Sequence, residues 1–187
     1  MEINMNHWIN KTCSEVMNSS GHSSNILRAI NTTLKYTGKI DNYLSVGSGD
    51  GTEMTVFNEQ GIDGKGIDGN EQSVERCKGL GFDVTLGDMH QMPFKDGEFN
   101  LVFSRDVFEH AYSHLGLMEE MTRVSNKYIS ITLPDQSWGG SEWHSLIPTT
   151  EQMIYLGMKF DLSLKMLDQF FSNGVFQSTY LFVKNEK

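Results

Sequence analysis

Cysteine is almost missing from this sequence: Cys13 and Cys77 are the only two in 187 residues. They lie far apart, belong to no metal-type spacing, and read as free thiols in a reducing compartment. Basic residues are also short, with 15 Lys and Arg against 24 Asp and Glu, a formal charge of -9. That balance argues against loose binding to a nucleic-acid backbone, which needs clustered Lys and Arg. No apolar run approaches the ~20 residues that a spanning helix requires, so membrane residence is not expected. The opening MEINMNHWINK has neither the basic flank nor the apolar core of a signal peptide. A cytoplasmic protein is expected. Repeats, low-complexity tracts and long linkers are missing too.

What remains is the composition of an ordinary globule, 38% hydrophobic and 21% charged. A chain of this length buries roughly 70% of its unfolded surface. One domain over 1–187 is expected, with a helical N-terminal cap over 1–36 and an α/β core over 42–187. Ile26, Leu27, Ile30 and Leu34 recur at helical spacing and predict a helix over 23–36. Trp8, Ile9, Thr12, Cys13 and Val16 fit one face of an earlier short helix. Strands are predicted at 42–46, 64–68 and 82–86, in FNLVFS, and in KYISITL as far as Pro134. Helices over about 52–60, 70–78, 113–125 and 150–156 alternate with them. Two alternating runs, KFDLSLKML and GVFQSTYLFV, close the chain as an antiparallel pair. This order predicts an α/β, Rossmann-like, mostly parallel seven-stranded sheet with helices on both faces and an antiparallel C-terminal hairpin at one edge.

In such sheets a ligand lies beyond the carboxyl ends of the strands. There, YLSVGSGDG breaks an apolar strand into Gly47, Gly49 and Gly51. A loop without Cβ atoms lets a ligand press against the main chain, and the next helix points unpaired N–H groups at it. Asp68 ends the second strand, 17 positions after Gly51, close to the ~20-residue interval of nucleotide-binding βαβ units. A carboxylate there can accept both hydroxyls of a ribose, and Asn70 competes for the helix N-cap. Asp88 follows the third strand. The dinucleotide loop is G-x-G-x-x-G, whereas Gly47-Ser48-Gly49-Asp50-Gly51 brings its third glycine one position early. A nucleoside-bearing cofactor is implied, and an NAD-dependent oxidoreductase is disfavoured.

The segment Gly87 to His110, GDMHQMPFKDGEFNLVFSRDVFEH, and the later IPTTEQM, Ile147 to Met153, add further motifs in order. Together with the glycine loop they resemble the class I S-adenosylmethionine-dependent methyltransferases, over about 43–160. The resemblance implies S-adenosylmethionine as cofactor and methyl transfer to a small-molecule acceptor. It implies that Gly47, Ser48, Gly49 and Gly51 lie along the cofactor's methionine and ribose, that Asp68 holds the ribose hydroxyls and that Gly69 packs near the adenine. Asp88 would accept from the adenine amino group while Met89 contacts the ring, and Ser104 and Arg105 would line the methionine end. Two positions depart from the family pattern: Ser45 stands where an acid is usual, and Asn100 where Asp is usual. A hydroxyl offers less to a cation than a carboxylate does.

A methyl transfer from a sulfonium needs mainly alignment and exclusion of water, with a base where the acceptor must lose a proton. His110, beside Glu109, and His144, between Trp138, Trp143 and the rest of an irregular segment, are the candidate bases; a loop-pinning pair and an exposed loop histidine are their structural alternatives. His90, His110, His114 and Glu109 show no dedicated ligand spacing, so no metal site is expected. His7 and Trp8 read equally as a lid over the cofactor or as packing on the sheet flank. A catalytically silent cofactor-binding domain is the alternative from another functional class.

Overall fold

The computed structural model describes residues 23–136, 146–172 and 175–186. The expected helix around Trp8 and Cys13, the His7–Trp8 lid, and Trp138, Trp143 and His144 lie outside the described residues. The elements in chain order are α1 (Ser23–Thr37), β1 (Tyr43–Val46), α2 (Thr52–Glu59), β2 (Gly64–Asp68), α3 (Glu71–Gly79) and β3 (Asp83–Leu86). They continue through β4 (Phe99–Arg105), a 3-10 turn (Phe108–His110), α4 (His114–Val124), β5 (Ser125–Pro134), α5 (Thr150–Lys159), β6 (Leu162–Ser172) and β7 (Val175–Lys184).

The seven strands form one sheet in the order β3-β2-β1-β4-β5-β7-β6. Neighbours from β3 to β5 are parallel, and β7 runs antiparallel to both β5 and β6. The expected hairpin is therefore at one edge, but its reversed strand is β7, one position in, and β6 forms the rim. Apolar residues that alternate along the strands divide the core into two layers. Leu44, Val46, Val102, Ile129 and Ile131 pack under α4 and α5. Tyr43, Leu101, Phe103 and Leu181 pack under α1, α2 and α3. The near-continuous apolar run of β4 follows from this double burial.

α1 buries Ile26, Ala29, Ile30 and Thr33, while Leu27 is exposed. The helical repeat carries 26, 29, 30 and 33 along one stripe and turns 27 away. Inside that stripe Thr33 and Ser130 pair their hydroxyls at 2.7 Å, which satisfies two polar groups in a dry layer. Asn70 caps α3, as expected, by accepting from the Ser73 N–H at 3.0 Å. A capping box between Thr149 and Gln152 opens α5, which runs past the predicted end near Leu156 to Lys159.

One connection differs from a regular alternation. No helix joins β3 to β4. Pro93 interrupts any helical ladder there, and α4 braces the loop from the side. Arg123 donates to the carbonyls of Phe94 (2.7 Å) and Met92 (2.9 Å), and Glu120 accepts from the Met92 N–H. Asn100, at the amino end of β4, donates to Asn126 at 3.0 Å and links β4 to the start of β5. It is a structural residue, remote from the glycine loop.

Candidate functional site

β1 ends at Val46, and the chain must reverse over the end of β2. The N–H groups of Gly47 and Ser48 both donate to the Ile67 carbonyl, at 2.8 and 3.2 Å. Gly47 has φ +73°, and a Cβ there would come within 2.3 Å of Val107 Cγ2. Backbone conformation and packing therefore both demand glycine. Gly49 has φ +52°, but a Cβ there would meet only the Gly47 carbonyl oxygen, at 4.0 Å. The cradle opens at Gly49, which is where a ligand can approach the main chain.

Asp68 closes one side of that cradle. Its Oδ2 accepts from the Gly49 N–H at 2.8 Å and its Oδ1 from the Asn70 N–H at 2.8 Å. The carboxylate is 5% exposed and belongs to the loop rather than to the α3 cap. Gly69 is half-buried beside it. Beneath the loop, the Cys77 Sγ lies 3.5 Å from the Gly49 carbonyl oxygen. Burial pushes that thiol up to about 11, so it is a protonated packing group.

Past β3, Asp88 Oδ1 accepts from the backbone N–H of His90 at 2.8 Å and lies 2.9 Å from its Nδ1. Its Oδ2 accepts from the Tyr112 hydroxyl at 3.1 Å. The rings of His90 and Tyr112 lie 3.6 Å apart. Burial would raise the Asp88 carboxyl, but the His90 and Tyr112 donors outweigh it and hold it below its usual range. Met89 is half-buried against the α4 layer of the core.

Ser104 and Arg105 are the last two residues of β4, not the loop beyond it. Strand alternation sends them to opposite faces of the sheet. Ser104 follows Val102 toward α4, and its Oγ is buried with no partner among the described residues. Arg105 follows Phe103 toward α2. Its Nε donates to Glu53 Oε1 at 2.8 Å, and its Nη1 bonds Asp106. Glu53, in the first turn of α2 and 4% exposed, also accepts from the Ser45 hydroxyl at 3.3 Å. Burial raises the Glu53 carboxyl to about 7 despite the Arg105 charge beside it. Asp106 takes φ +51° and accepts from Gln177 Nε2 of β7 at 3.1 Å. Glu109, fully buried, is held well above its usual range by burial and by Asp106, and Arg105 offsets this only in part.

The structure thus brings Gly47, Ser48, Gly49, Gly51, Asp68, Gly69, Asp88 and Met89 to one edge of the sheet, with Arg105 below the loop. His110 ends the 3-10 turn, half-buried. His114 begins α4 after an extended Ala111, so the two histidines do not share a helix face. Among the described residues no three His, Cys, Asp or Glu side chains come together to hold a metal. A surface depression of about 590 Å³ near Asp96, Arg123 and Lys184 lies at the opposite, amino end of the strands. Its charged groups are engaged internally: Arg123 with Asp96 and Glu120, Lys184 with two carbonyls.

Sequence reasoning missed Glu53, Gln177 and Tyr112, and it weighed His90 only as a metal ligand. Glu53 reads as an ordinary acid in a first helical turn, and Gln177 as the polar half of an alternating strand. His90 carries a weak signal, being two residues after Asp88 in a loop, a spacing that suits Asx-type turns.

Known proteins share parts of this sequence and its fold. Residues 44–127 match the sequence model of a family described as "Methyltransferase domain". That stretch is less than half of the chain, and it is similar to the family. The chain is also similar to norajmaline N-methyltransferase of Rauvolfia serpentina, 31% identical over 124 residues, which is 57% of this chain and 42% of the relative. The chain therefore spans less than half the length of that curated relative. Among solved structures, a possible histamine N-methyltransferase from Thermotoga maritima superimposes with a TM-score of 0.76 at 15% identity, over 97% of this chain and 100% of its own. A magnesium protoporphyrin IX methyltransferase from Synechocystis, with bound S-adenosylmethionine, gives 0.73 at 10% identity, over 99% and 86%. At these identities the structural matches speak for the fold alone, which is Rossmann-like.

Proposed function

We propose that the chain is an S-adenosylmethionine-dependent methyltransferase that acts on a small-molecule acceptor, as one domain over 1–187 in the cytoplasm. The observation that carries this reading is the Gly49–Asp68 contact, which sets an open glycine cradle and a strand-end carboxylate side by side. The residues fit the cofactor. Gly47, Ser48, Gly49 and Gly51 form the cradle, and Asp68, with Gly69 next to it, faces the ribose. Asp88 and Met89 hold the adenine end, while Ser104 and Arg105 serve the methionine end from the two faces of β4. When bound, the cofactor supplies a methyl group already activated on a sulfonium, so the protein's task is alignment and exclusion of water.

A nitrogen nucleophile is the first acceptor class to test, because the curated relative and one structural neighbour are named as N-methyltransferases. His110, on the turn just beyond β4, is the candidate proton acceptor within the described residues, and His144 is the other. The net charge of -9 disfavours bulk nucleic acid as a partner. Among the described residues no helix is long and apolar enough to cross a membrane. The reading is tested by tritiated methyl transfer from S-adenosylmethionine to a panel of small amines, alcohols and carbon acids. Transfer to an amine is expected. Cofactor binding with no transfer across the panel would favour the silent cofactor-binding domain.

A further inference from the structure

The group beneath the glycine loop is unusual for a protein core. Glu53 and Asp106 share the Arg105 guanidinium, and the Glu53 and Arg105 side chains are only 5% and 9% exposed. Taking such charges out of water is costly, and apolar replacements of similar volume are often more stable. An acid in a first helical turn already interacts well with the helix dipole at the surface, so stability does not explain why Glu53 is turned inward. With Glu53 and Asp106 ionised, two carboxylates face one guanidinium. Gln177 adds to the imbalance. It is 5% exposed, its amide nitrogen bonds Asp106 at 3.1 Å, and its Oε1 is a buried acceptor with no partner among the described residues. With both carboxylates ionised, the group lacks one cationic donor.

Its place in the fold says which cation. Ser45 lies two residues before Gly47 on β1, and the Val46–Ser104 register sets Arg105 level with the start of the glycine loop. The group therefore underlies the mouth between β1 and β4. Ser45 offers only a hydroxyl there, and that hydroxyl is spent on Glu53 Oε2. We infer that Glu53, delivered from α2, is the carboxylate that receives the α-ammonium of the cofactor's amino-acid end, with Gln177 as a second acceptor and Arg105 held by Glu53 and Asp106 to meet the α-carboxylate. This rests on the S-adenosylmethionine reading. It moves a binding role from the strand to the helix and brings in β7, at the far side of the sheet.

The test compares two ligands by calorimetry on the full chain: S-adenosylhomocysteine, which carries the amino-acid end, and 5′-methylthioadenosine, which lacks it. Glu53→Gln should weaken the first about tenfold or more and change the second less than about twofold, as expected for loss of one charged hydrogen bond. Ser45→Asp combined with Glu53→Gln should regain most of the lost affinity. Gln177→Leu should weaken S-adenosylhomocysteine alone, and it decides the matter where Glu53→Gln does not fold. Unchanged binding of both ligands, or equal loss of both, would overturn the inference and leave the cofactor reading standing. Wild-type protein that binds neither ligand would overturn both.

Discussion

The Gly49 amide and the Asp68 carboxylate meet at 2.8 Å across 19 positions of chain, joining the turn after β1 to the end of β2. The bond gives Asp68 two tasks at once: it braces the glycine loop and borders the open cradle. Asp68→Ala would leave the Gly49 and Asn70 amides without this acceptor, at roughly 1–3 kcal/mol for each buried donor left unpaired. Asp68→Asn is the cleaner variant, because its carboxamide oxygen keeps one of the two bonds. Its stability is expected to fall by about 1 kcal/mol in urea melts, while affinity for S-adenosylhomocysteine falls at least tenfold.

The two loop glycines separate stability from binding. Gly47→Ala forces a Cβ to within 2.3 Å of Val107 at φ +73° and should cost about 2–4 kcal/mol. Gly49→Ala meets open space, so only the backbone conformation resists it, at about 1 kcal/mol. Its added methyl would stand in the cradle and lower cofactor affinity about tenfold or more. Equal stability losses in the two variants, measured by chemical denaturation, would contradict this division.

Glu53 gives a pH signature in the ligand-free protein. Burial raises its carboxyl from the ordinary 4.5 to about 7 in the fold, so between these values the native state holds a proton that the unfolded chain has released. Stability contributed by this group therefore falls as pH rises from about 4.5 to about 7. The stability of wild type relative to Glu53→Gln should drop by about 3 kcal/mol across that window. Glu109, raised in the same direction, is present in both proteins. A flat difference from pH 4.5 to 7.5 would show that Glu53 is ionised throughout.

Tyr112 is 53% exposed and donates its hydroxyl to Asp88 Oδ2 at 3.1 Å. An adenine amino group that uses the same oxygen competes with it for the carboxylate's charge. Tyr112→Phe should therefore tighten adenosine binding about two- to fivefold and shift the ligand-free stability by less than ~0.5 kcal/mol. Weaker binding instead would mean that the hydroxyl helps the ligand rather than competing with it.

Local pattern made most of this fold readable. The apolar FNLVFS run, the glycine loop, Asn70 before α3 and the final alternating pair each carry their structure in a few adjacent residues. What escaped depends on contacts between distant segments. Whether Leu27 or Ala29 faces the core is fixed by how α1 lies on the sheet. That Ser104 and Arg105 serve opposite faces depends on β4 continuing through both. The loop from β3 to β4 owes its shape to Arg123, some thirty positions on. The Glu53–Arg105–Asp106–Gln177 group draws on α2, the β4 end and β7, and no short window of sequence brings those residues together.

Calorimetric titration of the full chain with S-adenosylhomocysteine, and separately with NAD, shows which cofactor the glycine loop takes. Micromolar or tighter binding of the first is expected, about −8 kcal/mol or better, with no measurable heat from NAD. Binding of NAD, or no binding of S-adenosylhomocysteine at millimolar concentration, would contradict the S-adenosylmethionine reading.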